Sequence, residues 1–357
     1  MYELCGKLKN LTPYEPIKGE YSLRLDANES SRTPPLWLQD KMKSALDTVA
    51  FNRYPDPYAS ELCRAFAGYY GVDPDMVTAG NGSDELISVL TSCFLETGDR
   101  VLTFHPDFSM YGFYAELYEK ENRTVEKDGD LVLTADGILG ALRESGARAV
   151  LFSNPCNPTG QGMTRQEVRK VLRGTDALVV LDEAYMDFWE ESMLPEAGEY
   201  DNLIILRTCS KALGMASLRL GFAVANETLT RALRAAKSPY NVSTVDQALG
   251  AAVLTEHRYL RACREEIIRQ RDRLLEGLNA LNDRLALGWR VYPSVANFAL
   301  IGTEKADEIY RALLEQGIAV RCFPNALRIT APSPTSLPVL LFELEKVLTD
   351  LSGTEKA

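Results

Sequence analysis

The sequence predicts an α/β protein built on a doubly wound, mostly parallel sheet. Short apolar runs alternate with longer amphipathic stretches, a rhythm typical of strands that alternate with helices. The apolar runs are continuous rather than alternating, as expected for strands that are covered on both faces. We find no internal repeat and no low-complexity tract. The predicted strands are Arg100–Phe104, Ala149–Ser153, Leu178–Leu181 and Leu203–Leu206.

Helices are predicted between these strands and again in the last third of the chain. Glu85–Phe94 and Arg165–Leu172 have helical character. A long helix is predicted over residues 257–285, where apolar residues recur at helical spacing and the charged remainder forms a solvated face. After it, Trp289–Ile301 and Ile318–Ile329 are predicted as strands with a helix between them. A second, smaller α/β unit is therefore expected, with its boundary near residues 245–255.

Composition narrows the possible partners. The chain has 357 residues, of which 46% are hydrophobic and 25% charged, and its formal net charge is −11. An acidic protein of this kind does not bind nucleic acid or anionic membranes broadly, because both need a cationic surface. No apolar run reaches the roughly 20 residues that span a bilayer, and the N-terminus lacks a secretory signal pattern. We expect a cytoplasmic protein.

Cysteine and histidine usage argues against several kinds of site. The seven cysteines are scattered and contain no C-x-x-C pair, so disulfides and structural zinc are not expected. Only two histidines are present, His105 and His257, which leaves little material for a metal site or a serine-histidine triad. Other residue types must carry any catalysis.

A glycine-rich turn in Thr78–Ile87 joins a predicted strand to a predicted helix. Free backbone N–H groups at such a helix start can hold a phosphate, helped by the helix dipole. A capped turn without a ligand is the alternative. The segment Ser153–Gly160 likewise follows a buried strand and contains two Asn-Pro bonds. It is either a turn or, because Asn157 emerges where parallel sheets bind ligands, part of a binding site.

Two further segments follow predicted strands. Asp182 comes directly after an apolar run, so its carboxylate either caps the next helix or meets a cationic partner such as a protonated pyridine nitrogen. Most lysines are surface charges. Lys211, however, lies between Ser210 and Arg219, whose hydroxyl and guanidinium groups suit a phosphate monoester.

Taken in order, these segments resemble the cofactor-binding motifs of class I/II aminotransferases, which depend on pyridoxal 5′-phosphate. The likeness extends over nearly the whole chain, and its details point to the histidinol-phosphate aminotransferase branch. The resemblance implies fold type I: a large α/β/α domain with a mostly parallel sheet, plus a smaller α/β domain. The matching segments are Gly80–Glu85, Asn157–Gly160, Asp182–Tyr185 and Ser210–Arg219, with Leu25–Glu29, Arg53–Pro57, Ala296–Phe298 and Leu327–Thr330 for the branch.

The resemblance also implies a division of the chain and a set of cofactor contacts. Residues 1–37 would form an N-terminal arm and part of the small domain, 38–250 the large cofactor domain and 251–357 the small domain. Lys211 would carry the cofactor as a Schiff base and move the substrate's α-proton, with Asp182 and Tyr185 as further catalytic residues. The implied cofactor contacts are Gly82, Ser83, Asp84, Phe108, Asn157, Asp182, Tyr185, Ser210, Lys211, Arg219 and Tyr54.

In this branch Tyr54 would reach the cofactor phosphate of a neighbouring subunit, which implies a homodimer. The implied substrate contacts are Arg328, Arg321, Tyr14 and Asn28. The implied reaction converts L-histidinol phosphate and 2-oxoglutarate to imidazole acetol phosphate and L-glutamate, a step of histidine biosynthesis.

Two positions depart from the usual branch pattern. Phe108 replaces the commoner tyrosine, and Ser217 stands where glycine is usual. These changes bear on substrate preference more than on reaction type. An aromatic amino acid aminotransferase is therefore the main alternative, followed by a decarboxylase of the same fold and a non-catalytic ligand-sensing module.

Overall fold

The computed structural model describes residues 2–9, 11–13 and 15–354. The helices, numbered in chain order, are α1 Gly6–Lys9, α2 Leu36–Leu46, α3 Ser60–Tyr70, α4 Ser83–Cys93, α5 Met110–Leu117, α6 Ala135–Ser145, α7 Arg165–Arg173, α8 Glu227–Ala236, α9 Thr244–Leu254, α10 His257–Leu285, α11 Ala306–Glu315 and α12 Ser336–Thr354. The strands are β1 Leu23–Arg24, β2 Val77–Asn81, β3 Arg100–His105, β4 Glu121–Glu126, β5 Ala149–Ser153, β6 Leu178–Asp182, β7 Leu203–Thr208, β8 Leu220–Ala225, β9 Arg290–Val291, β10 Phe298–Gly302, β11 Ile318–Ala319, β12 Arg321–Phe323 and β13 Ala326–Thr330.

The larger sheet has seven strands in the order β2-β8-β7-β6-β5-β3-β4. All neighbours pair in parallel except β8, which is antiparallel to β2 and β7. The four predicted strands are β3, β5, β6 and β7, so the predicted parallel sheet is confirmed. Strand β4 is polar and largely exposed at the sheet edge, and its sequence therefore lacks the apolar run of the buried strands.

Helices cover both faces of this sheet, which gives three layers. One face packs against a core that includes Leu62, Ile138 and Val168, from α3, α6 and α7. The other face packs against Leu86 and Leu233, from α4 and α8. The chain turns back at β3, which has β4 on one side and β5 on the other. Ligands of open parallel sheets bind beside such a reversal, at the carboxyl ends of the strands.

The C-terminal third forms a separate antiparallel sheet of four strands in the order β12-β13-β10-β9. Its apolar core is shared with α10, α11 and α12. Two predictions were wrong in detail. Trp289–Ile301 contains two strands, β9 and β10, separated by a segment with Pro293, which has no N–H for a ladder. Ile318–Ile329 contains β11, β12 and β13: β11 pairs with β1 instead of joining the small sheet, and a turn at Asn325, where φ is 57°, separates β12 from β13.

The N-terminal segment joins this smaller unit. β1 pairs in parallel with β11, and Leu25 is buried in the same core as α11 and α12. The backbone N–H of Thr330 donates to the carbonyl of Leu25 at 3.1 Å. Residues 25–28 are thereby held beside the end of β13. The domain limits 1–37, 38–250 and 251–357 stay a prediction. Within the part of the chain that the structure describes, no helix is long and apolar enough to cross a bilayer.

Candidate active site

An anion cradle lies where β2 passes into α4. Gly82 joins the two elements with φ +83°, and a Cβ atom there would stand 2.9 Å from Nη2 of Arg219. Only glycine adopts this positive φ and leaves room for the Arg219 guanidinium without strain. No side chain caps the start of α4, so the first N–H groups of that helix, beginning at Ser83, are open to a ligand.

The cradle is closed by the segment that follows β7. Nη1 of Arg219 lies 3.4 Å from Oγ of Ser210 and donates to the carbonyl of Ala216 at 3.1 Å. The backbone N–H of Ser210 donates to Oγ1 of Thr208, which fixes the turn. A guanidinium, a hydroxyl and a helix N-terminus thus converge, and this donor set suits a phosphate monoester.

Asp84 lies beside this cradle, but its carboxylate turns toward α5. Oδ2 accepts a hydrogen bond from the hydroxyl of Tyr114 at 3.2 Å, and Oδ1 is buried without a partner among the described residues. Burial raises the pKa of Asp84. The predicted cofactor contact through Asp84 stays a prediction.

Asp182 ends β6 with its side chain deep in the protein. It is 4% exposed, and it accepts hydrogen bonds from the Tyr111 hydroxyl at 2.8 Å and the Ala184 N–H at 3.0 Å. Burial raises the pKa of Asp182 to about 6, although both hydrogen bonds lower it. The hydrogen bond from the Ala184 N–H is a local backbone bond of the kind that the capping interpretation of Asp182 predicts. Among the described residues, however, no cation pairs with Asp182, so the site is open to a positively charged ligand atom.

Tyr111 was not predicted as a site residue, although it lies in the same segment as Phe108. The two rings contact each other edge to face, with centroids 5.5 Å apart. A spacing of three residues places both on one side of the start of α5. That spacing was the available signal, but a buried tyrosine more often serves the core than a site.

Lys211 follows β7 and meets the N-terminal segment. Its Nζ donates to the carbonyl of Ala27 at 2.8 Å and lies 5.8 Å from the centre of the Tyr185 ring. The hydroxyl of Tyr185 accepts a hydrogen bond from Nδ2 of Asn28 at 2.9 Å. Tyr185, Asn28 and Lys211 therefore lie together in one group of side chains.

Asn28 is held in an unusual backbone conformation with φ 55°, which asparagine tolerates better than most residues. Its N–H donates to Oγ1 of Thr330 at 3.1 Å, and its carbonyl accepts from Nδ2 of Asn297 at 3.0 Å. Neither Thr330 nor Asn297 was singled out from the sequence as a site residue. Both fix the turn that presents the Asn28 amide to Tyr185.

Asn157 and Arg328 meet across the two units. Nη1 of Arg328 donates to Oδ1 of Asn157, and Nη2 donates to the carbonyl of Asp26 at 2.6 Å. The guanidinium lies between the rings of Phe298 and Phe323, at 5.3 and 5.8 Å from their centres. The structure thus brings together Asn157 and Arg328, which are 171 positions apart in the sequence.

Arg321 is directly opposite Arg328 in the β12–β13 pair, so both side chains lie on the same face of the small sheet. Tyr54 lies apart from these groups: its ring is 81% exposed and stacks on Tyr240 with centroids 4.7 Å apart. Tyr14 lies outside the described residues.

The fold and the site together define a class. A parallel sheet presents an amine, a buried carboxylate and a phosphate cradle at one edge, and an arginine pair faces them from a second unit. No group of metal-binding side chains occurs within the described residues. The family model "Aminotransferase class I and II" matches residues 20–341. The chain belongs to this family.

Individual relatives narrow the likeness further. The chain is 38% identical to histidinol-phosphate aminotransferase of Clostridium kluyveri over 96% of its own length and 97% of the relative's. It is also 38% identical to the Clostridium novyi protein of the same name, over 91% and 92% of the two chains. Histidinol-phosphate aminotransferase from Sinorhizobium meliloti, solved in complex with pyridoxal 5′-phosphate, superposes with a TM-score of 0.87 over 98% and 99% at 23% identity. This superposition confirms the predicted fold.

Proposed function

We propose that this protein uses pyridoxal 5′-phosphate on Lys211 to transfer the amino group of L-histidinol phosphate to 2-oxoglutarate, giving imidazole acetol phosphate and L-glutamate. The observation that carries the proposal is the buried carboxylate of Asp182, which lacks a cationic partner among the described residues at the sheet edge that also bears Lys211. The names of the relatives at 38% identity support the choice of substrate.

Each chemical group of the cofactor has a counterpart in the site. Arg219, Ser210 and the start of α4 suit its phosphate, and Asp182 suits its protonated ring nitrogen. Asn157 and Tyr185 supply polar groups for the ring oxygen, and Phe108 supplies an aromatic face. When bound, the cofactor supplies a ring that accepts electrons from the substrate's α-carbon.

The chain's own residues then have distinct tasks. Nζ of Lys211 would accept the proton that leaves the substrate's α-carbon and deliver it again to complete the transfer, and Asp182 would supply the negative charge that keeps the cofactor's ring nitrogen protonated. The Asn28 amide donates to the Tyr185 hydroxyl and orients it. The Lys211 amine donates to the carbonyl of Ala27, which holds it beside the turn that carries Asn28.

In this proposal Arg321 and Arg328 bind the anionic end of each substrate, and Tyr14 and Asn28 are the further substrate contacts. Like charges directly opposite each other in a sheet are destabilising, and an anion between them removes that cost. Guanidinium groups match phosphate and carboxylate equally well. The same pair therefore serves the phosphate of the donor and the carboxylate of the acceptor.

We also propose a homodimer in which Tyr54 completes the partner's phosphate site. The exposed Tyr54 ring stacks on Tyr240 and, among the described residues, takes no part in the contacts of its own site. Phe51, earlier in the same segment, is 79% exposed. A cytoplasmic location is proposed as well. The seven cysteines are all described and all unpaired, as is usual where thiols stay reduced.

The cofactor assignment is tested by borohydride reduction of the protein loaded with pyridoxal 5′-phosphate, followed by peptide mass mapping. We expect the label on Lys211 and none in a Lys211→Ala variant, whose kcat should fall by about 10²-fold to 10⁴-fold. A label on another lysine, or undiminished turnover of the variant, would overturn the assignment.

The substrate assignment is tested with a panel of amino donors under single-turnover conditions, monitored by the cofactor's absorbance. L-histidinol phosphate should react fastest, and Arg321→Met should slow it more than it slows L-histidinol, which lacks the phosphate. A rapid reaction with phenylalanine or tyrosine, and none with L-histidinol phosphate, would replace the proposal with an aromatic amino acid aminotransferase. Release of carbon dioxide would indicate a decarboxylase.

Subunit mixing tests the proposed dimer. If Tyr54 acts across subunits, a hybrid of Lys211→Ala and Tyr54→Ala chains contains one site with both residues intact. Mixing the two weak variants should then restore activity. If the mixture shows only the average of the separate variants although hybrids have formed, Tyr54 does not act on the partner's site.

A further inference from the structure

A buried ion pair lies beneath the proposed cofactor site, where three strands of the large sheet end. Nζ of Lys127, which directly follows β4, is 3.4 Å from Oδ2 of Asp107, which follows β3. Both side chains are only 1% exposed. The backbone N–H of Lys127 donates to the carbonyl of His105 at 2.7 Å and so fixes the base of the lysine.

The Asp107 carboxylate connects two residues that we assign to the cofactor. Oδ1 accepts the N–H of Phe108 at 2.8 Å and also the hydroxyl of Ser153, at the end of β5. The Ser153 hydroxyl oxygen in turn accepts the N–H of Asn157 at 3.1 Å. An unbroken chain of hydrogen bonds therefore runs from the backbone of Phe108 to that of Asn157.

Lys127 supplies the charge that this arrangement needs. Besides Asp107, its Nζ contacts Sγ of Cys156 at 3.0 Å. Burial and the nearby Asp107 raise the pKa of the Cys156 thiol above its ordinary value, although Lys127 lowers it. Burial alone would lower the pKa of Lys127, but Cys156 and Asp107 raise it above its ordinary value. An ionised Asp107 is thus compensated inside the protein, where a lone carboxylate is costly.

We propose that Asp107, paired with the buried Lys127, is a positioning residue that holds the Phe108 ring and the Asn157 amide in one rigid unit around the cofactor. Since Phe108 and Asn157 enter as cofactor contacts, the inference rests on the proposed function. Outer-shell groups that orient metal ligands typically change affinity by about 10-fold to 100-fold when they are lost, and by analogy we expect a loss of this order in cofactor affinity.

The test is a double-mutant cycle on Asp107 and Lys127 in the full-length protein, with pyridoxal 5′-phosphate as the probe. Lys127→Met, Asp107→Asn and the double variant are compared with the parent for the dissociation constant of the cofactor and for the visible circular dichroism that it acquires on binding. Each single variant leaves one buried charge unpaired and should bind the cofactor about 10-fold or more weakly, with an altered dichroism signal. The double variant removes both charges and should recover most of the affinity.

Lys120 provides the matched control. It is also a buried lysine, but its Nζ donates to the carbonyl of Leu95 at 2.7 Å, away from the site. Lys120→Met should lower stability without changing cofactor affinity or dichroism. Equal effects of Lys120→Met and Lys127→Met, or strictly additive effects in the cycle, would overturn the inference.

If Lys127→Met does not fold, Asp107→Asn, which keeps the shape of the side chain, and the double variant decide between the same outcomes. A parent protein that binds no pyridoxal 5′-phosphate would instead refute the proposed function.

Discussion

Asp182 and Glu183 are consecutive buried carboxylates with opposite surroundings. Glu183 is 0% exposed and accepts from Nη2 of Arg207 at 2.8 Å, from the Ser192 hydroxyl at 2.7 Å and from a backbone N–H. Asp182 has a tyrosine hydroxyl and one N–H, and no cation among the described residues. One acid is compensated within the chain, and the other is left for a ligand.

The difference distinguishes a structural carboxylate from a functional one without reference to any relative. Arg207 lies 3.3 Å from Asp187 as well, and it covers the ring of Tyr70 at 5.0 Å. Burial would lower the pKa of Arg207, but Glu183 and Asp187 raise it above its ordinary value. This network fixes the segment that carries Tyr185, whereas the charge of Asp182 is balanced only when a cation arrives.

The largest expected effect is on turnover. Asp182→Asn keeps the shape of the side chain but removes the charge beneath the ring nitrogen, so kcat should fall by about 10²-fold to 10³-fold at saturating cofactor. The matched control is Asp187→Asn, which alters a buried acid of the Arg207 network and should lower stability with little loss of kcat. Comparable losses of kcat in both variants would erase the distinction between the two acids.

The next effect is on folding. Arg207→Met leaves Glu183 and Asp187 buried without their cation, and the free energy of unfolding should fall by about 3–5 kcal/mol. Urea denaturation of the cofactor-free protein measures it. Arg173 is exposed, and its replacement by methionine should change the same quantity by no more than about 0.5 kcal/mol. If the two variants lose stability equally, Arg207 does not compensate the acids.

The pH dependence of stability separates the acids further. The pKa of Asp182 rises from 3.8 to about 6 on folding, so its ionisation costs stability, and the cost grows as pH increases from about 4 to about 6. Above that range the cost is constant at about 3 kcal/mol. Asp182→Asn should therefore stabilise the cofactor-free protein at pH 8 and do so much less at pH 4, as measured by denaturation at each pH. A gain that is independent of pH would contradict the assignment.

The smallest expected effect is on cofactor affinity, and it concerns the Tyr111 hydroxyl that donates to Asp182. Tyr111→Phe removes a hydrogen bond to the ionised carboxylate that is worth about 1.5 kcal/mol, so cofactor affinity should fall about 10-fold. Equilibrium titration with pyridoxal 5′-phosphate measures the change. An unaltered dissociation constant would mean that Tyr111 serves packing alone.

The buried strands and the long helix could be predicted from the sequence because their apolar spacing is regular. Strand β5 and helix α10 have the predicted bounds, Ala149–Ser153 and His257–Leu285. The small sheet was predicted less well. Its strands are short, and an irregular segment around Pro293 and a turn at Asn325 divide what the sequence presents as continuous apolar runs.

The residues of the site likewise divide into those that could be predicted from the sequence and those that could not. Asp182, Asn157 and Lys211 each follow a recognisable strand, so their place at the sheet edge could be predicted. Asp107 and Lys127 carry no such signal, because their pairing depends on where β3 and β4 end relative to each other. A lysine and an aspartate twenty positions apart look like ordinary surface charges until the fold buries them.

The pairing of Leu23 with Ile318 also has a consequence for biosynthesis. Ser22 and Gly317, which directly precede the two paired residues, are 295 positions apart, so that many further residues must be synthesised before the partner strand of the N-terminal segment leaves the ribosome. At about 5–20 residues per second the delay is roughly 15–60 s. The Asn28 amide and the Ala27 carbonyl therefore acquire their final positions late, and a nascent chain presents its reactive amine before the pocket around it is complete.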